Sequence, residues 1–432
     1  MKPSIYNENF EYNSYCFLYN VLYNSLIVIT QELLEKIEKH NFENISSDVL
    51  SELELNGFVI QDDVDERELI KFTHNSVKYD YTQCSYMIYP TLTCNLDCPY
   101  CFEKVERKSM NVEQFDTLKN FLIQQAQNTK HTAIIIRWTG GEPLLVWEKI
   151  AEITTEVNTE CVKNNIKFAS SLSTNATLIT EKIAKKIAAL EFNPITVSID
   201  GPRDLHNKRR FYKKNRGSFD DVVRGINCLS EYSKVILRVN FDKENYPSYE
   251  RLLVELNESL QHKHNISMYL KPVTAAYNYG FDSTMYDDFD FFNIEEDLIQ
   301  ITQKHQFNLE IHPGFQYSTR CIAYQIGSYV VDPQLHLYKC PIHIGQEKEK
   351  VGYIDKNAKI NIERFSECVK YINLSPFDNE ECKNCRVLPL CNGKCPVKWE
   401  QLGHGVNQGC IPEKETIISK IKSQLLSDYF QS

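Results

Sequence analysis

Between residues 85 and 273, six short apolar runs alternate with longer amphipathic stretches, and this alternation limits the fold more than any other feature of the chain. The runs are Ser85–Leu92, Thr132–Trp138, Phe168–Ser173, Ile195–Ile199, Val235–Phe241 and Ile266–Val273. In the stretch 112–127, Phe115, Leu118 and Leu122 fall on one helical face; 146–162, 180–190, 219–232 and 246–260 are built alike. Strands separated by helices pair through crossovers, not hairpins, so the sheet is expected to be mainly parallel. An open six-fold (β/α) barrel and a doubly wound sheet both satisfy the pattern. Either places reactive groups at the carboxyl ends of the strands.

The first run leads into Tyr89-Pro-Thr-Leu-Thr-Cys94-Asn-Leu-Asp-Cys98-Pro-Tyr100-Cys101-Phe102, whose spacing is CxxxCxxC. Three thiolates on one tight loop can hold three irons of a [4Fe-4S] cube and leave the fourth without a protein ligand. Zinc also accepts closely spaced thiolates. The second run ends in Trp138-Thr-Gly140-Gly141-Glu142-Pro143, where two residues without Cβ let backbone approach a ligand and a carboxylate can accept from an ammonium. Ser173-Thr-Asn175 and Ser198-Ile-Asp200-Gly-Pro202 close the next two runs, followed by His206 and Arg210, and Arg238-Val-Asn240 closes the fifth. Asn175, Asp200 and His206 are equally at home in ordinary turn chemistry.

Taken together, the CxxxCxxC loop and the Gly-Gly-Glu-Pro turn resemble those of the radical S-adenosylmethionine (SAM) enzymes, over about residues 85–275. The resemblance favours the partial (β/α)6 barrel. It implies that Cys94, Cys98 and Cys101 hold a cluster whose open iron chelates the methionine end of SAM, and that reductive cleavage yields a 5′-deoxyadenosyl radical. It assigns Gly140, Gly141 and Glu142 to the methionine amino group, Ser198 and Arg210 to the ribose and carboxylate, and Asn175, Asp200 and Asn240 to further contacts. Tyr100 is expected to set its backbone near the adenine.

Eight of the 15 cysteines lie between 321 and 410. Cys382-Lys-Asn-Cys385-Arg-Val-Leu-Pro-Leu-Cys391-Asn-Gly-Lys-Cys395, with Cys410 downstream and Cys321 and Cys340 upstream, resembles the SPASM extension, which carries two auxiliary [4Fe-4S] clusters. The unequal gaps do not fit the paired knuckles of zinc ribbons. The resemblance assigns Cys382, Cys385, Cys391 and Cys410 to an outer cluster and Cys321, Cys340 and Cys395 to an inner one, one thiolate short. An open iron or a fourth ligand such as Cys368 would complete it. Leu335 stands where the family has a glycine before Cys340, a change expected to alter a turn. For Cys16, Cys84, Cys161, Cys228 and, by default, Cys368, the expectation is a small buried hydrophobe.

Three domains are expected: 1–84, a small α+β domain similar to the winged-helix elements that recognise leader segments; 85–310, the barrel; 311–432, the auxiliary-cluster domain. Within the first, a hairpin turning near Asn24-Ser25, helices over 31–40 and 47–56 and an extended 58–60 precede the acidic run 61–68, which reads as a solvated linker. The net charge of −10 argues against nucleic acid. No signal segment or long apolar run is visible, so a cytoplasmic protein without membrane contact is expected. The function expected is a maturase that crosslinks a ribosomally made precursor peptide bearing a leader, fed by an electron donor such as flavodoxin or ferredoxin. An anaerobic sulfatase maturase forming formylglycine is the competing enzyme, but Pro341 follows Cys340 where those enzymes usually carry an aspartate base. A zinc-stapled adaptor without activity is the alternative of another class.

Overall fold

The computed structural model describes residues 1–101, 107–273, 288–309, 321–393, 395–397 and 422. They divide into two compact units that do not follow chain order: Met1–Tyr79, Ile311–Tyr324 and Leu374–Ser432 form one, and Asp80–Glu310 with Gln325–Asn373 form the other.

In the first unit, β1 (Lys2–Pro3) pairs with the later β5 (Val59–Ile60), while β2 (Asn7–Tyr12), β3 (Tyr15–Asn20) and β4 (Ser25–Ile29) make an antiparallel meander in the order β2-β3-β4. The expected turn at Asn24 is present, and a second hairpin turns at Asn13 and Ser14, both at positive φ as a two-residue loop requires. Helices α1 (Gln31–Glu38) and α2 (Ser47–Leu55) start at Thr30 and Ser46, whose side chains cap Leu33 N–H and Val49 N–H. The acidic run is not a solvated linker. Asp65 caps α3 (Glu66–Lys78), and Glu66 is buried, accepting from Ser4 Oγ at 2.6 Å and Ile5 N–H at 2.9 Å. Within this unit Tyr6, Tyr19, Val21 and Ile70 share a core with Val387 and Leu390, so the front segment and the cysteine-rich tail are packed together.

The second unit begins with β6 (Gln83–Ile88). Then α4 (Val112–Gln127), β7 (Ala133–Trp138), α5 (Trp147–Lys163), β8 (Lys167–Thr174), α6 (Glu181–Ala189), β9 (Ile195–Ile199), α7 (Arg203–Arg209), α8 (Phe219–Ser230), β10 (Val235–Phe241), α9 (Tyr249–Ser259) and β11 (Ile266–Pro272) alternate much as the periodicity requires. Strands β6 to β11 pair in chain order and all in parallel. After α10 (Asp288–Lys304), β12 (Asn308–Leu309) extends one edge, and β13 (Tyr329–Val331) returns beside β6 to open an antiparallel run with β14 (His336–Tyr338), β15 (Gly352–Ile354) and β16 (Ile360–Ile362). The core is one continuous layer between the sheet and helices α4, α5, α6, α8 and α9. Cys84, Cys161 and Cys368 belong to it, Cys368 beside Tyr329, so Cys368 packs as a small hydrophobe.

The turn joining β13 to β14 bears on the missing glycine. Leu335 has φ +64°, the left-handed conformation a glycine takes without cost, and its side chain is buried in the core. Leucine at this position sets backbone strain against apolar burial.

Candidate functional site

The loop after β6 is held from two sides. Leu92 N–H donates to Lys108 O at 2.7 Å, and Met110 N–H to Pro90 O at 2.9 Å. From the next loop, Gly141 N–H donates to Thr91 O and Glu142 N–H to Thr93 O, both at 3.0 Å. The glycine pair is what allows this approach. A Cβ on Gly140, at φ +132°, would meet Thr91 O at 2.3 Å, and one on Gly141 would meet Thr93 O at 2.4 Å. Their close neighbour is therefore the backbone that leads into Cys94.

Three thiols follow on that loop. Cys101 N–H donates to Cys98 O at 3.3 Å, closing a turn between the two cysteines. Cys94 Sγ accepts from Leu96 N–H at 3.4 Å and from Asn175 Nδ2 at 3.7 Å. Burial pushes the Cys94 thiol up to about 12 against the opposing pull of the Leu96 N–H, so a metal binding here displaces a proton. Three half-buried or buried thiols on one loop, with N–H donors aimed at Cys94 Sγ, have the chemistry an iron-sulfur cube requires, although no three such side chains among the described residues are gathered as a ready metal site.

Glu142 is fully buried and its carboxylate is oriented by three donors: Thr174 Oγ1 at 2.7 Å, Asn175 N–H at 2.7 Å and Leu144 N–H at 3.0 Å. Burial raises its pKa, the donors acting against that shift. The Asn175 side chain links the loops, donating to Asn95 Oδ1 at 2.8 Å and accepting from Thr177 N–H at 3.0 Å and Thr177 Oγ1 at 2.7 Å. The expected turn chemistry is thus present, and the same side chain also reaches the cysteine loop.

Asp200, at the end of β9, forms the second half of the site. It is fully buried, accepts from the Tyr100 hydroxyl and from Asn240 Nδ2 at 2.9 Å, and lies 3.8 Å from both Arg209 and Arg210. Burial works to raise its pKa, but Arg210 and Arg209 outweigh burial and hold the carboxyl below the usual range. Arg210 donates to the Tyr100 hydroxyl at 2.9 Å, leaving its buried Nε without a hydrogen-bond partner. His206 is buried in α7 and meets Ser218 Oγ at 3.0 Å, while that hydroxyl donates to Arg210 O at 2.6 Å. Burial, helped by Arg210, pushes His206 down to about 3 and keeps it neutral; its role is to fix Arg210.

The structure therefore brings Cys94, Glu142 and Asn175 into one network, and Tyr100, Asp200, Arg210 and Asn240 into another. Ser198 joins neither; it sits half-buried on β9 opposite Arg238. Sequence reading missed Thr174, Thr177, Asn95 and Arg209. Thr174 lay inside the Ser-Thr-Asn motif already in view. Arg209, which contacts Asp242 Oδ2 at 2.5 Å and stacks over the Tyr100 ring, was masked by the neighbouring Arg210.

In the first unit, Cys385 N–H donates to Cys382 O at 3.0 Å, and Cys391 ends a short helix before Asn392 at positive φ. The buried Tyr324 hydroxyl has its pKa raised by burial first and then by the charge of Cys321, Cys395, Cys391 and Cys382. Cys385 instead faces Tyr6. Cys340 lies in the second unit, before a short Pro341–His343 turn, and Cys410 lies outside the described residues.

Comparison with known proteins places this geometry. Residues 88–256 match the family model of the radical SAM superfamily. The cysteine-type anaerobic sulfatase-maturating enzyme of Clostridium novyi is 25% identical over 333 residues, 70% of this chain and 84% of that one. The radical SAM cyclopropyl synthase TigE of Paramaledivibacter caminithermalis is 24% identical over 388 residues, 81% of this chain and 76% of its own. Among solved structures, native anSMEcpe with bound AdoMet and Cp18Cys peptide superposes at a TM-score of 0.54 with 19% identity, covering 72% of this chain and 89% of that one. Streptococcus suis SuiB bound to precursor peptide SuiA gives 0.52 with 16% identity, covering 93% and 96%. The α/β radical SAM fold with its mostly parallel sheet is common to them.

Proposed function

We propose that the chain, whose residues 88–256 match the radical SAM superfamily, is an enzyme of that superfamily and a peptide maturase that crosslinks a ribosomally made precursor. Cys94, Cys98 and Cys101 would hold the cluster that supplies the electron for SAM cleavage. Glu142, held by Thr174, Asn175 and Leu144, keeps lone pairs for the methionine ammonium, and Arg210 offers its free Nε and fork to the carboxylate. Gly140 and Gly141 keep the cysteine loop tight against the Glu142 loop. Asp200 and Asn240 are placed for polar groups of the cofactor, with Tyr100 between them and the guanidiniums.

The thiols of the tail, Cys382, Cys385, Cys391 and Cys410 outer and Cys321, Cys340 and Cys395 inner, would hold two auxiliary clusters that accept the electron left after hydrogen loss. A flavodoxin- or ferredoxin-like donor would reload the first cluster. The front segment, with two unpaired strand edges on its β2-β3-β4 meander among the described residues, suits a leader bound as an added strand. No helix among the described residues is long and apolar enough to cross a membrane.

The observation that carries this reading over formylglycine formation is Pro341. It starts the turn directly after Cys340, where general-base chemistry needs a titratable side chain. The names of the sulfatase-maturating relatives keep that second reading in play. The test is to incubate the reconstituted chain with SAM, reductant and either a short peptide encoded beside its gene or a sulfatase-derived Cys peptide. Loss of two hydrogen atoms per crosslink in the former supports the proposal; an aldehyde in the latter alone rejects it.

A further inference from the structure

Among the described residues, the parallel sheet of the second unit is sealed by helices on one face and left mostly half-buried or exposed on the other. Ile134, Ile136, Val197, Ile199, Leu237 and Val239 are sealed against the helices. Their alternates are not: Ala169 and Ser173 are exposed in the middle of the sheet, and Ser198, Arg238 and Lys271 are half-buried. Parallel sheets are ordinarily buried on both faces, so a bare polar face in a protein of this kind is a surface kept for a ligand. Its upper end, where Asp200 and Asn240 meet Tyr100, is the cofactor site proposed above.

Below that end the charge changes sign. The rim carries the carboxylates of Glu142, Asp200 and Asp242 against the guanidiniums of Arg209 and Arg210, suited to a cofactor with an ammonium and a sulfonium. The open-face positions of β6 to β11 contain no aspartate or glutamate, whereas Arg238 and Lys271 stand on adjacent strands. Arg238 is opposite Tyr269 and Lys271 is opposite Asn240, so the two cations are diagonal neighbours. A strand spacing of ~4.8 Å and two rises of ~3.3 Å put their Cβ atoms about 8 Å apart, a span one carboxylate can bridge between two long side chains. Among the described residues neither forms an ion pair, and the Arg238 Nε is buried without a hydrogen-bond partner. A buried donor left so is costly unless a ligand supplies the acceptor.

We propose that Arg238 and Lys271 bind a carboxylate of the peptide segment being modified, so that the enzyme selects substrates that are acidic beside the reacting residue. This rests on the peptide reading above. The carboxylate comes from an Asp or Glu side chain or from the peptide's free C-terminus, and the two are separable by experiment.

The test uses the full chain, anaerobically reconstituted and loaded with SAM, and fluorescein-labelled glycine-serine peptides read by anisotropy. One carries a central Glu and an amidated end, one a central Gln and an amidated end, and one a central Gln and a free C-terminal acid. An acidic peptide is expected to bind at least about tenfold tighter than the amidated Gln peptide. Which acidic peptide wins identifies the source. Arg238→Gln and Lys271→Gln should each reduce the preference severalfold while peptide-free SAM cleavage persists. Should Arg238→Gln not fold, Lys271→Glu carries the test and should favour a Lys-containing peptide over the Glu one. Equal binding of all three peptides, or a preference that survives the substitutions, overturns the proposal alone. Binding of none by a chain that still cleaves SAM overturns the peptide reading with it.

Discussion

The backbone N–H of Asn175 donates to Glu142 Oε2 at 2.7 Å, while the Asn175 side chain reaches Cys94 Sγ at 3.7 Å. One residue therefore ties the carboxylate expected to hold an ammonium to the first thiol of the cluster loop. Asn175→Ala should leave the fold intact but weaken SAM binding and alter the electronic environment of the cluster. Cluster potential and SAM affinity, measured together by EPR-monitored titration, should both shift; a change in neither contradicts the link.

Gly141 is hemmed in by the backbone of the cysteine loop. Adding one methyl group drives it into Thr93 O and the Leu92 carbonyl carbon, which lies at 2.7 Å. Neither is a flexible side chain, so the cysteine loop must move. Gly141→Ala is expected to lower SAM cleavage about a hundredfold, the usual consequence of a displacement near 1 Å. Circular dichroism should remain that of the parent, and 5′-deoxyadenosine output read by chromatography checks the loss.

Leu335 offers a stability test with a reversed sign. At an ordinary position alanine is better than glycine, but at φ +64° the side chain itself is strained. Both Leu335→Ala and Leu335→Gly lose a buried side chain. The glycine variant should nonetheless be more stable than the alanine variant by about 1 kcal/mol. Urea unfolding of the two proteins decides it.

His206 makes stability depend on pH. Its folded pKa is depressed to about 3 from 6.5, so its contribution is complete above pH 6.5 and is lost as pH falls toward 3, because only the unfolded chain takes up the proton. Between pH 7.5 and 5.5 the loss should be about 1.4 kcal/mol. His74, buried in the first unit and pushed down to about 4 by burial, acts in the same direction there. Urea midpoints at the two pH values should differ in the parent and less so in His206→Gln.

The packing of Ile70 with Val387 and Leu390 changes what truncation of the front segment should do. Removing residues 1–79 takes away part of the core on which the tail thiols are built, so the loss should extend beyond peptide binding. Ile70→Asp is expected to lower the iron content of reconstituted protein toward that of one cluster. SAM cleavage should persist, because Cys94, Cys98 and Cys101 lie in the other unit. Full iron loading of Ile70→Asp would contradict this.

Much of the second unit was legible because its elements are long and periodic: 112–127, 195–199 and 235–241 appear in the structure with the expected bounds. The site loops were legible because their residues fall where those strands stop. What stayed hidden depends on tertiary partners. The acidic run gave no sign that Glu66 would be buried by Ser4 and Ile5. Strands β13 to β16 have three residues each, too few to show a period. Nor does local sequence say that a Cβ on Gly140 or Gly141 would meet the backbone of the cysteine loop, since close approach to backbone and to ligand both favour glycine.

The most direct measurement is 5′-deoxyadenosine production by the anaerobically reconstituted full chain with SAM and dithionite, beside a variant with Cys94, Cys98 and Cys101 all changed to Ala. The parent is expected to show the visible and EPR spectra of [4Fe-4S] clusters and to release 5′-deoxyadenosine with methionine, and the variant to release none. A colourless, zinc-loaded parent that leaves SAM intact, or equal release by both proteins, would contradict the assignment of those three cysteines.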